Sequence, residues 1–428
     1  MTGILIVIGL IALLLSGIPI FAALLLTGSA VLFFFEGSIE SVADTVFAHL
    51  NSPVLLTIPL FILMAQLMIR SGAVDDLFGM ANTLIGHVKG GIGVATILSC
   101  TIFAAISGSS VATAVSIGQT AIPQMKRYGF PERSALGLVA AGGTLGILIP
   151  PSGPMILYAV VANASIGALF LAGIIPGLLL ALVFAVFCLI SARGSSEIDR
   201  APFPGWRAVL AAMNKSIWAL LMPPVVMGGI YFGIFTATEA AAVGCLYALL
   251  VGALVYRNLG PRVLTACLKD TVLTSLMVFA IIAGAAVFGN AITIIRLPNQ
   301  VSELIVAMNL TPLVFMLVVM AMIFVMGMFL ESIAIILITT PILLPALIAL
   351  DIDLIWYGVL LMINLELAMI TPPVGMNLFV IKGITGSTLS TVIRGAAPFV
   401  LLMIGGMLAI MALPDLATWL PRLAGYKF

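Results

Sequence analysis

The chain has 428 residues, of which 63% are hydrophobic and only 8% are charged, and its formal net charge is +1. Soluble proteins average about 25% charged residues, so this composition excludes a soluble enzyme, and the absence of a basic excess excludes a nucleic-acid-binding protein. The apolar residues occur in runs of about 20, the length of a helix that crosses a bilayer. The sequence therefore predicts an all-α polytopic membrane protein.

Apolar segments follow one another along the whole chain. They lie at 4–35, 53–70, 92–123, 134–163, 168–192, 217–235, 238–256, 272–295, 313–349, 354–382 and 391–413. Four of the long segments carry small, polar or proline-rich interruptions, at 107–110, 150–154, 331–332 and 371–375. We interpret 92–123 and 313–349 as re-entrant helical hairpins, and 134–163 and 354–382 as broken helices.

The two halves of the chain repeat these features at a shift of 222 residues. The shift aligns prolines 123, 150, 151 and 176 with prolines 345, 372, 373 and 398. Basic residues after the first hairpin (Lys126, Arg127) correspond to acidic residues after the second (Asp351, Asp353). Because Lys and Arg prefer the cytoplasmic side of a membrane, the pattern predicts two inverted repeats, as in many secondary transporters.

The predicted organisation has three parts. Residues 1–192 form the first repeat, residues 193–216, which include Arg200, form a cytoplasmic linker, and residues 217–428 form an extra crossing helix plus the second repeat. The extra crossing is needed because corresponding positions of two inverted repeats lie on opposite sides of the membrane. An odd number of crossings must therefore separate them along the chain. The N-terminus is then cytoplasmic and the C-terminus periplasmic.

The four interruptions predict a binding site. A helix that ends in mid-membrane leaves unpaired carbonyl and N–H groups, which persist only where they line a polar cavity. Carbonyl ends bind Na⁺ and N–H ends bind a carboxylate, so we expect two Na⁺ sites at the hairpin tips, formed mainly by backbone carbonyls, around one anionic substrate. The candidates in the first half are Ser107, Gly108, Ser109, Ser110, Thr144, Gly146, Pro150, Pro151, Ser152 and Gly153; in the second half they are Glu331, Ser332, Glu366, Thr371, Pro372, Pro373, Gly375 and Asn377. The alternative is that the serines only pack and the Pro-Pro pairs only kink helices.

Charged residues inside apolar segments are functional candidates. Glu366 either relays a proton or tunes a cation site, or it is a lateral hydrogen-bond partner. Arg296 either binds a substrate carboxylate or reaches the membrane interface. Glu239 follows Thr236 at a predicted helix start, which favours a capping role.

His49 is predicted to lie in a loop. The chain has only two histidines and four scattered cysteines, so no transition-metal site, disulfide or organic cofactor is expected.

Five segments in order, with matching spacing, resemble a known family. They begin at Thr57 (TIPLFILM), Ser107 (SGSSVATA), Gly146 (GILIPPS), Phe235 (FTATEAAA) and Thr371 (TPPVG). Together they resemble the large membrane subunit of the tripartite ATP-independent periplasmic (TRAP) transporters, over essentially the whole chain.

The resemblance implies a function and partners. Such proteins take up organic acids, often C4-dicarboxylates or sialic acid, across the bacterial inner membrane, and a Na⁺ gradient drives the uptake. A periplasmic substrate-binding protein delivers the acid, and a small four-helix membrane subunit, here expected as a separate polypeptide, pairs with the large one. The resemblance also implies an elevator-type fold, in which the hairpins and broken helices slide against a scaffold formed largely by 17–35, 53–70, 217–256 and 272–291. By the same resemblance, 107–110 and 150–153 line one Na⁺ site, while Ser332 and 371–375 line the other.

Other functions fit the sequence less well. Coupling to a different ion, or transport in the opposite direction as in a related antiporter, is the main alternative. An intramembrane protease would need a Ser–His dyad or paired aspartates within helices, and neither pattern is present. A channel fits less well because hairpins that end at mid-membrane favour alternating access.

Overall fold

The computed structural model describes residues 2–193, 202–308 and 310–426, and the regular secondary structure within these ranges is helical. Ten α-helices precede residue 194. They are α1 (Thr2–Leu15), α2 (Ile20–Glu36), α3 (Glu40–Leu50), α4 (Thr57–Ser71), α5 (Ala73–Ile85), α6 (Gly91–Ser107), α7 (Ser110–Arg127), α8 (Glu132–Leu148), α9 (Gly153–Ala162) and α10 (Ile166–Arg193). A 3₁₀ turn, Pro53–Leu56, leads directly into α4.

Ten further helices follow residue 205. They are α11 (Trp206–Tyr231), α12 (Ala237–Leu250), α13 (Pro261–Ile294), α14 (Leu297–Ala307), α15 (Pro312–Gly327), α16 (Ser332–Ala349), α17 (Leu354–Met369), α18 (Met376–Thr385), α19 (Leu389–Ala412) and α20 (Asp415–Leu423). A π-helical turn, Val251–Val255, extends α12.

Eight helical segments in the described residues are long and apolar enough to cross a membrane. They are Pro53–Ser71, Glu132–Ala162, Ile166–Arg193, Trp206–Tyr231, Ala237–Val255, Pro261–Ile294, Ser332–Ala349 and Leu389–Ala412. Shorter apolar helices, such as α6 and α15, accompany them. The prediction of an all-α polytopic membrane protein is confirmed, whereas the inverted relation of the two halves stays a prediction.

Helices α8 and α17 lie at the centre of the molecule. Every residue of α8 from Ala135 to Leu148 is buried, and so is every residue of α17 from Tyr357 to Ala368. A helix that is apolar on all sides has no face that prefers water, so it is stable only in the interior of a large protein or in a membrane. Both central helices end at a predicted interruption, and the first of these interruptions is buried in the fold.

Each central helix is packed beside a helical hairpin. In the first hairpin, α6 and α7 are joined by Gly108 and Ser109; in the second, α15 and α16 are joined by residues 328–331. Helix α7 approaches α8 closely, because a Cβ atom at Gly143 would lie 2.7 Å from the Cβ of Ala114. Small residues permit such backbone approach between membrane helices.

The outer helices pack around α13, which is 34 residues long. Helix α2 crosses it so closely that a Cβ at Gly28 would lie 2.8 Å from the backbone nitrogen of Phe288. Helix α4 runs alongside α13 and is joined to it by a salt bridge between Arg70 and Asp270. Helices α4 and α13 form one wall, against which α6 of the first hairpin, α16 of the second hairpin and α9 lie.

Two differences from the sequence predictions concern the linker and His49. Helix α11 begins at Trp206, inside the predicted linker 193–216, directly after Gly205 with φ 88°; residues 194–201, including Arg200, lie outside the described residues. His49 lies in the last turn of α3 rather than in a loop. Glu40 in the first turn of α3 and His49 in the last complement the helix dipole, a local signal that favours this helix.

Glu239 is a helix-capping residue. The Thr236 hydroxyl accepts a hydrogen bond from Glu239 N at 3.3 Å, and Thr236 N donates to Glu239 Oε2 at 2.8 Å. This reciprocal pair satisfies two N–H groups at the start of α12. The capping interpretation of Glu239 is confirmed.

Candidate functional site

The tip of the first hairpin is a tight turn ordered by its own hydroxyl groups. Helix α6 ends at Ser107, and Gly108 follows with φ 58°, a left-handed conformation that glycine adopts without strain. Ser109 caps α7, because its Oγ accepts a hydrogen bond from Ala112 N at 3.3 Å. Ser107 Oγ lies 2.9 Å from Thr113 Oγ1. The hydroxyl oxygens are therefore oriented by the turn and keep acceptor capacity for a further ligand.

This tip is packed against the first broken helix. A Cβ at Gly108 would lie 2.3 Å from the carbonyl oxygen of Pro151, and a Cβ at Gly146 would lie 2.6 Å from the carbonyl carbon and oxygen of Ser109. Backbone therefore meets backbone at both contacts, which only glycine allows. The structure brings the first tip and the first break together.

The Pro-Pro pair leaves carbonyl groups without helical partners. Within a helix, the carbonyls of Gly146 and Ile147 would accept from the residues four positions later, which are Pro150 and Pro151. Proline has no backbone N–H, so both carbonyls at the end of α8 lack that partner. They are oriented along the helix axis toward the break, where the negative end of the helix dipole favours a cation.

The second tip and the second break are also joined. Val374 N, in the break, donates to the carbonyl oxygen of Met328, in the tip, at 3.2 Å. Helix α16 begins at Ser332, and Glu331 just before it is half-buried. The second half therefore places its interruption residues side by side, as the first half does.

The second break differs from the first in exposure. Pro372 and Pro373 are exposed, whereas Pro150 and Pro151 are buried. Both Pro–Pro peptide bonds are cis. Thr371 Oγ1 donates to the Leu367 carbonyl of α17 at 2.7 Å, so this hydroxyl keeps its capacity to accept a hydrogen bond or bind a cation.

Two buried side chains from the second half reach into the first half. Glu366 on α17 accepts a hydrogen bond at Oε1 from Leu148 N at 3.1 Å. Asn377 on α18 donates from Nδ2 to Ser110 Oγ at 2.9 Å and to the carbonyl oxygen of Ala140 at 3.1 Å. Glu366, Asn377 and Ser110 are all at most 3% exposed. The first hairpin and the two broken helices are thereby linked, and Asn364 Nδ2 on α17 donates to the Met320 carbonyl on α15 at 2.6 Å, which joins the second hairpin to the same packed body.

Both tips and both breaks meet at one cavity of about 280 Å³. Nine predicted residues line it: Ser107, Gly108, Ser109, Ser110, Pro151, Gly153, Glu331, Ser332 and Gly375. The other nine lie in the same helices and breaks without lining the cavity: Thr144, Gly146, Pro150, Ser152, Glu366, Thr371, Pro372, Pro373 and Asn377. Helices α7, α9, α16 and α18 begin at this cavity, so four helix N-termini surround it.

Part of the cavity wall is formed by the segments 53–70 and 272–291, which the family resemblance assigns to the scaffold. Ile58 and Phe61 on α4, and Thr274, Met277 and Val278 on α13, line the side opposite the hairpins. Apolar residues on a crossing helix give no local sign of facing a cavity, and only the hydroxyl of Thr274 within an apolar run marks the place. This wall belongs to the outer helices, so the cavity lies between the packed body and those helices.

Arg296 does not line the central cavity. It lies between α13 and α14 with φ 54° and is exposed. Glu331 is the only ionisable side chain among the described lining residues. The groups that this cavity offers to an anion are therefore N–H groups and hydroxyls.

The chemistry of the unpaired oxygens suits a hard cation. Ser152 Oγ, Asn377 Oδ1 and Glu366 Oε2 are buried and have no hydrogen-bond partner. In the described residues there is no group of three or more His, Cys, Asp or Glu side chains, the donors that transition metals prefer. Oxygen atoms from hydroxyls, amides and carbonyls are the ligands of hard cations such as Na⁺, so the residues present fit that ion.

A second, larger cavity of about 800 Å³ lies next to the first. Its polar lining includes His49, Asn163 and Asn290, and Leu157 lines both cavities. The Leu157 side chain is 2% exposed. This residue therefore stands between the two spaces.

Comparisons with known proteins agree with this architecture. Residues 7–416 match the family described as the tripartite ATP-independent periplasmic transporter, DctM component. The C4-dicarboxylate TRAP transporter large permease of Pseudomonas aeruginosa is 38% identical over 395 residues, which are 92% of each chain. The sialic acid TRAP transporter large permease of Vibrio cholerae is 34% identical over 418 residues, which are 97% of each chain.

The fold is also similar to that of a solved transporter. The YdaH transporter of Alcanivorax borkumensis superposes with a TM-score of 0.59 at 12% identity, covering 87% of this chain and 86% of that chain. At this identity the likeness concerns the fold alone. The family match covers nearly the whole chain and confirms the resemblance found in the sequence, so this multi-pass protein of the bacterial inner membrane belongs to the DctM family of TRAP transporter large permeases.

Proposed function

We propose that this chain is the large membrane subunit of a Na⁺-coupled TRAP transporter that imports an organic carboxylate, such as a C4-dicarboxylate or sialic acid. The observation that carries the proposal is the single cavity at which two hairpin tips and two helix breaks meet. Curated relatives are named for C4-dicarboxylates and sialic acid, which supports this substrate class. A periplasmic binding protein delivers the acid, and a small four-helix subunit completes the membrane complex.

The helix N-termini account for anion binding. Helices α7, α9, α16 and α18 begin at the cavity, and each presents backbone N–H groups and the positive end of its dipole. The described lining residues include no lysine or arginine. A small carboxylate is therefore held by backbone dipoles together with the hydroxyls of Ser109, Ser110 and Ser332.

The helix C-termini account for cation binding. At the first site, Na⁺ would be held by carbonyls of Gly146 and Ile147 with the hydroxyls of Ser109 and Ser152. At the second, the carbonyl of Met369 and the hydroxyl of Thr371 occupy the corresponding place. When bound, Na⁺ supplies positive charge next to the substrate carboxylate, which couples the two binding events.

The packing supports an elevator movement. The body formed by both hairpins and both broken helices is joined by hydrogen bonds of Glu366, Asn377 and Asn364, so it can move as one unit against the wall formed by α4 and α13. The second, larger cavity is separated from the central one by Leu157, and it lies on the route that the substrate takes.

A titration of transport against Na⁺ tests the proposal. The complex is reconstituted with its small subunit and binding protein, and uptake of radiolabelled C4-dicarboxylates and sialic acid is measured at increasing external Na⁺. Ser109→Ala and Thr371→Ala are expected to raise the Na⁺ concentration for half-maximal uptake more than they lower expression. Thr388→Ala is the matched control, since it removes the same kind of helix cap, a hydroxyl that accepts from Thr391 N at 3.3 Å, outside the cavity.

Two results would contradict the proposal. Unchanged Na⁺ titrations for both variants would show that the sites are elsewhere. Uptake that survives the removal of Na⁺ and collapses with the proton gradient would instead favour a proton-coupled carrier.

A further inference from the structure

A third cavity, of about 310 Å³, lies apart from the transport site between α8, α10 and α19. Its polar lining is Arg133 and Ser134 from α8, Ser191 from α10 and Arg394 from α19, and its apolar wall includes Phe187 and Phe399. None of these residues lines the central cavity. The arrangement of two arginines, two hydroxyls and aromatic rings belongs to no part of the proposed transport mechanism.

The two arginines are held together by a close helix crossing. A Cβ at Gly395 would lie 1.8 Å from the carbonyl oxygen of Arg133, and a Cβ at Gly137 would lie 2.0 Å from the carbonyl of Gly395. Helices α8 and α19 therefore touch backbone to backbone at this point. Arg133 and Arg394 leave the crossing beside each other and share one cavity.

The positive charge at this cavity is not neutralised by the described residues. Neither arginine takes part in any of the salt bridges of the described residues. The adjacent carboxylate of Glu132 is already paired with Lys126 at 2.9 Å and accepts a hydrogen bond from Ser387 Oγ at 3.0 Å. Two guanidinium groups, each able to bind a phosphate in a bidentate manner, thus face one space.

An apolar stripe on α10 leads to this cavity. Leu178, Leu182, Val186 and Ile190 follow one another at intervals of four residues and are between 44% and 61% exposed. Residues four apart are neighbours on a helix surface and form a ridge inclined to the helix axis, so the stripe runs obliquely along the exposed side of α10. It ends next to Phe187 and Ser191, which line the cavity.

We propose that this cavity binds the phosphate head group of an anionic phospholipid, with an acyl chain lying along the α10 stripe. Basic pockets between membrane helices on the cytoplasmic side are suited to such head groups. The cavity is on the side that carries Lys126 and Arg127, the side that basic residues prefer. A free phosphate ion would use the arginines alone, whereas a lipid uses the arginines and the stripe.

Thermal unfolding of the purified full-length protein in detergent tests the proposal. Phosphatidylglycerol, phosphatidylcholine and inorganic phosphate are titrated separately against the wild type, R133Q/R394Q and the matched control R207Q/R262Q, which removes two exposed arginines elsewhere. A ligand that binds only the folded state raises its stability with concentration. Phosphatidylglycerol should raise the Tm of the wild type and the control but not of R133Q/R394Q, and the other two compounds should have little effect.

Single arginine variants and a variant of the α10 stripe test the two parts of the proposed site separately. If the double variant does not fold, R133Q and R394Q separately should each raise the half-stabilising phosphatidylglycerol concentration by about tenfold. Ile190→Asn should weaken stabilisation by phosphatidylglycerol, because it disrupts the acyl path and leaves both arginines. Equal stabilisation by inorganic phosphate would overturn the lipid assignment in favour of a free-anion site, and equal losses in R207Q/R262Q would show only diffuse charge attraction.

Discussion

Gly108→Ala is the most direct test of the contact between the first hairpin tip and the first break. The added Cβ would lie 2.3 Å from the carbonyl oxygen of Pro151, and ordinary contact begins at 3.4 Å, so tip and break must separate by about 1 Å. The left-handed φ of 58° adds about 1–2 kcal/mol of backbone strain for a residue with a Cβ. Both changes act where the proposed Na⁺ ligands meet.

The expected effect on Na⁺ binding follows from this displacement. A misplacement of about 1 Å in a binding or reacting geometry costs on the order of 100-fold, or about 2.7 kcal/mol. We therefore expect the Na⁺ concentration that gives half-maximal stabilisation to rise by roughly two orders of magnitude. The effect should exceed any general loss of stability, because α6 and α7 remain packed along their lengths.

The assay is thermal unfolding of the purified protein across a Na⁺ titration at constant ionic strength, with K⁺ as the replacing ion. Gly405→Ala is the control, since a Cβ at that position in α19 has no atom within 4 Å. A folded Gly108→Ala protein whose Na⁺ titration coincides with that of the wild type would refute the reasoning. A wild type that Na⁺ does not stabilise more than K⁺ would refute the assigned cation sites themselves.

Three further predictions concern contacts between helices. Glu366→Leu should lower the free energy of unfolding by about 1–3 kcal/mol, because Leu148 N–H loses its acceptor in the interior. Glu366→Gln retains an oxygen at this place and should retain most of the stability. The denaturation midpoints of the two variants distinguish these outcomes. Asn377→Ala removes the donor to Ser110 Oγ and to a backbone carbonyl, so it should lower the Tm and raise the Na⁺ concentration that gives half-maximal stabilisation. An unaltered Na⁺ response would separate this residue from the site. Gly395→Val should abolish folded expression, measured by size-exclusion chromatography, because its side chain would occupy the backbone of α8; a monodisperse variant would contradict the close crossing.

Much of the helical framework could be predicted from local signals. The four interruptions carry prolines, glycines and serines inside long apolar runs, and removal of backbone N–H groups by Pro150 and Pro151 is a property of the residues themselves. The same holds for the capping pair of Thr236 and Glu239, which are three residues apart. Such features depend on neighbours in sequence and are therefore readable from it.

The relations between distant segments could not be predicted in the same way. Glu366 and Leu148 are 218 residues apart, and the choice between a proton relay, a cation ligand and a lateral hydrogen-bond partner depended on what lies beside the carboxylate. The structure provides a lateral partner at Oε1 and leaves Oε2 unpaired. Which side chains of α13 line the cavity, and the pairing of Arg133 with Arg394, likewise depend on helix packing.

The charge content of the central cavity has an electrical consequence. Its described lining contains no fixed cation, and Glu331 is its only ionisable side chain. Under the proposed Na⁺ coupling, the protein's own charges return to their starting positions in each cycle, so the net charge moved per turnover equals the number of Na⁺ ions minus the number of substrate carboxylates. Each net charge moved through 100 mV is worth about 2.3 kcal/mol, so the current per molecule of substrate gives the coupling stoichiometry directly.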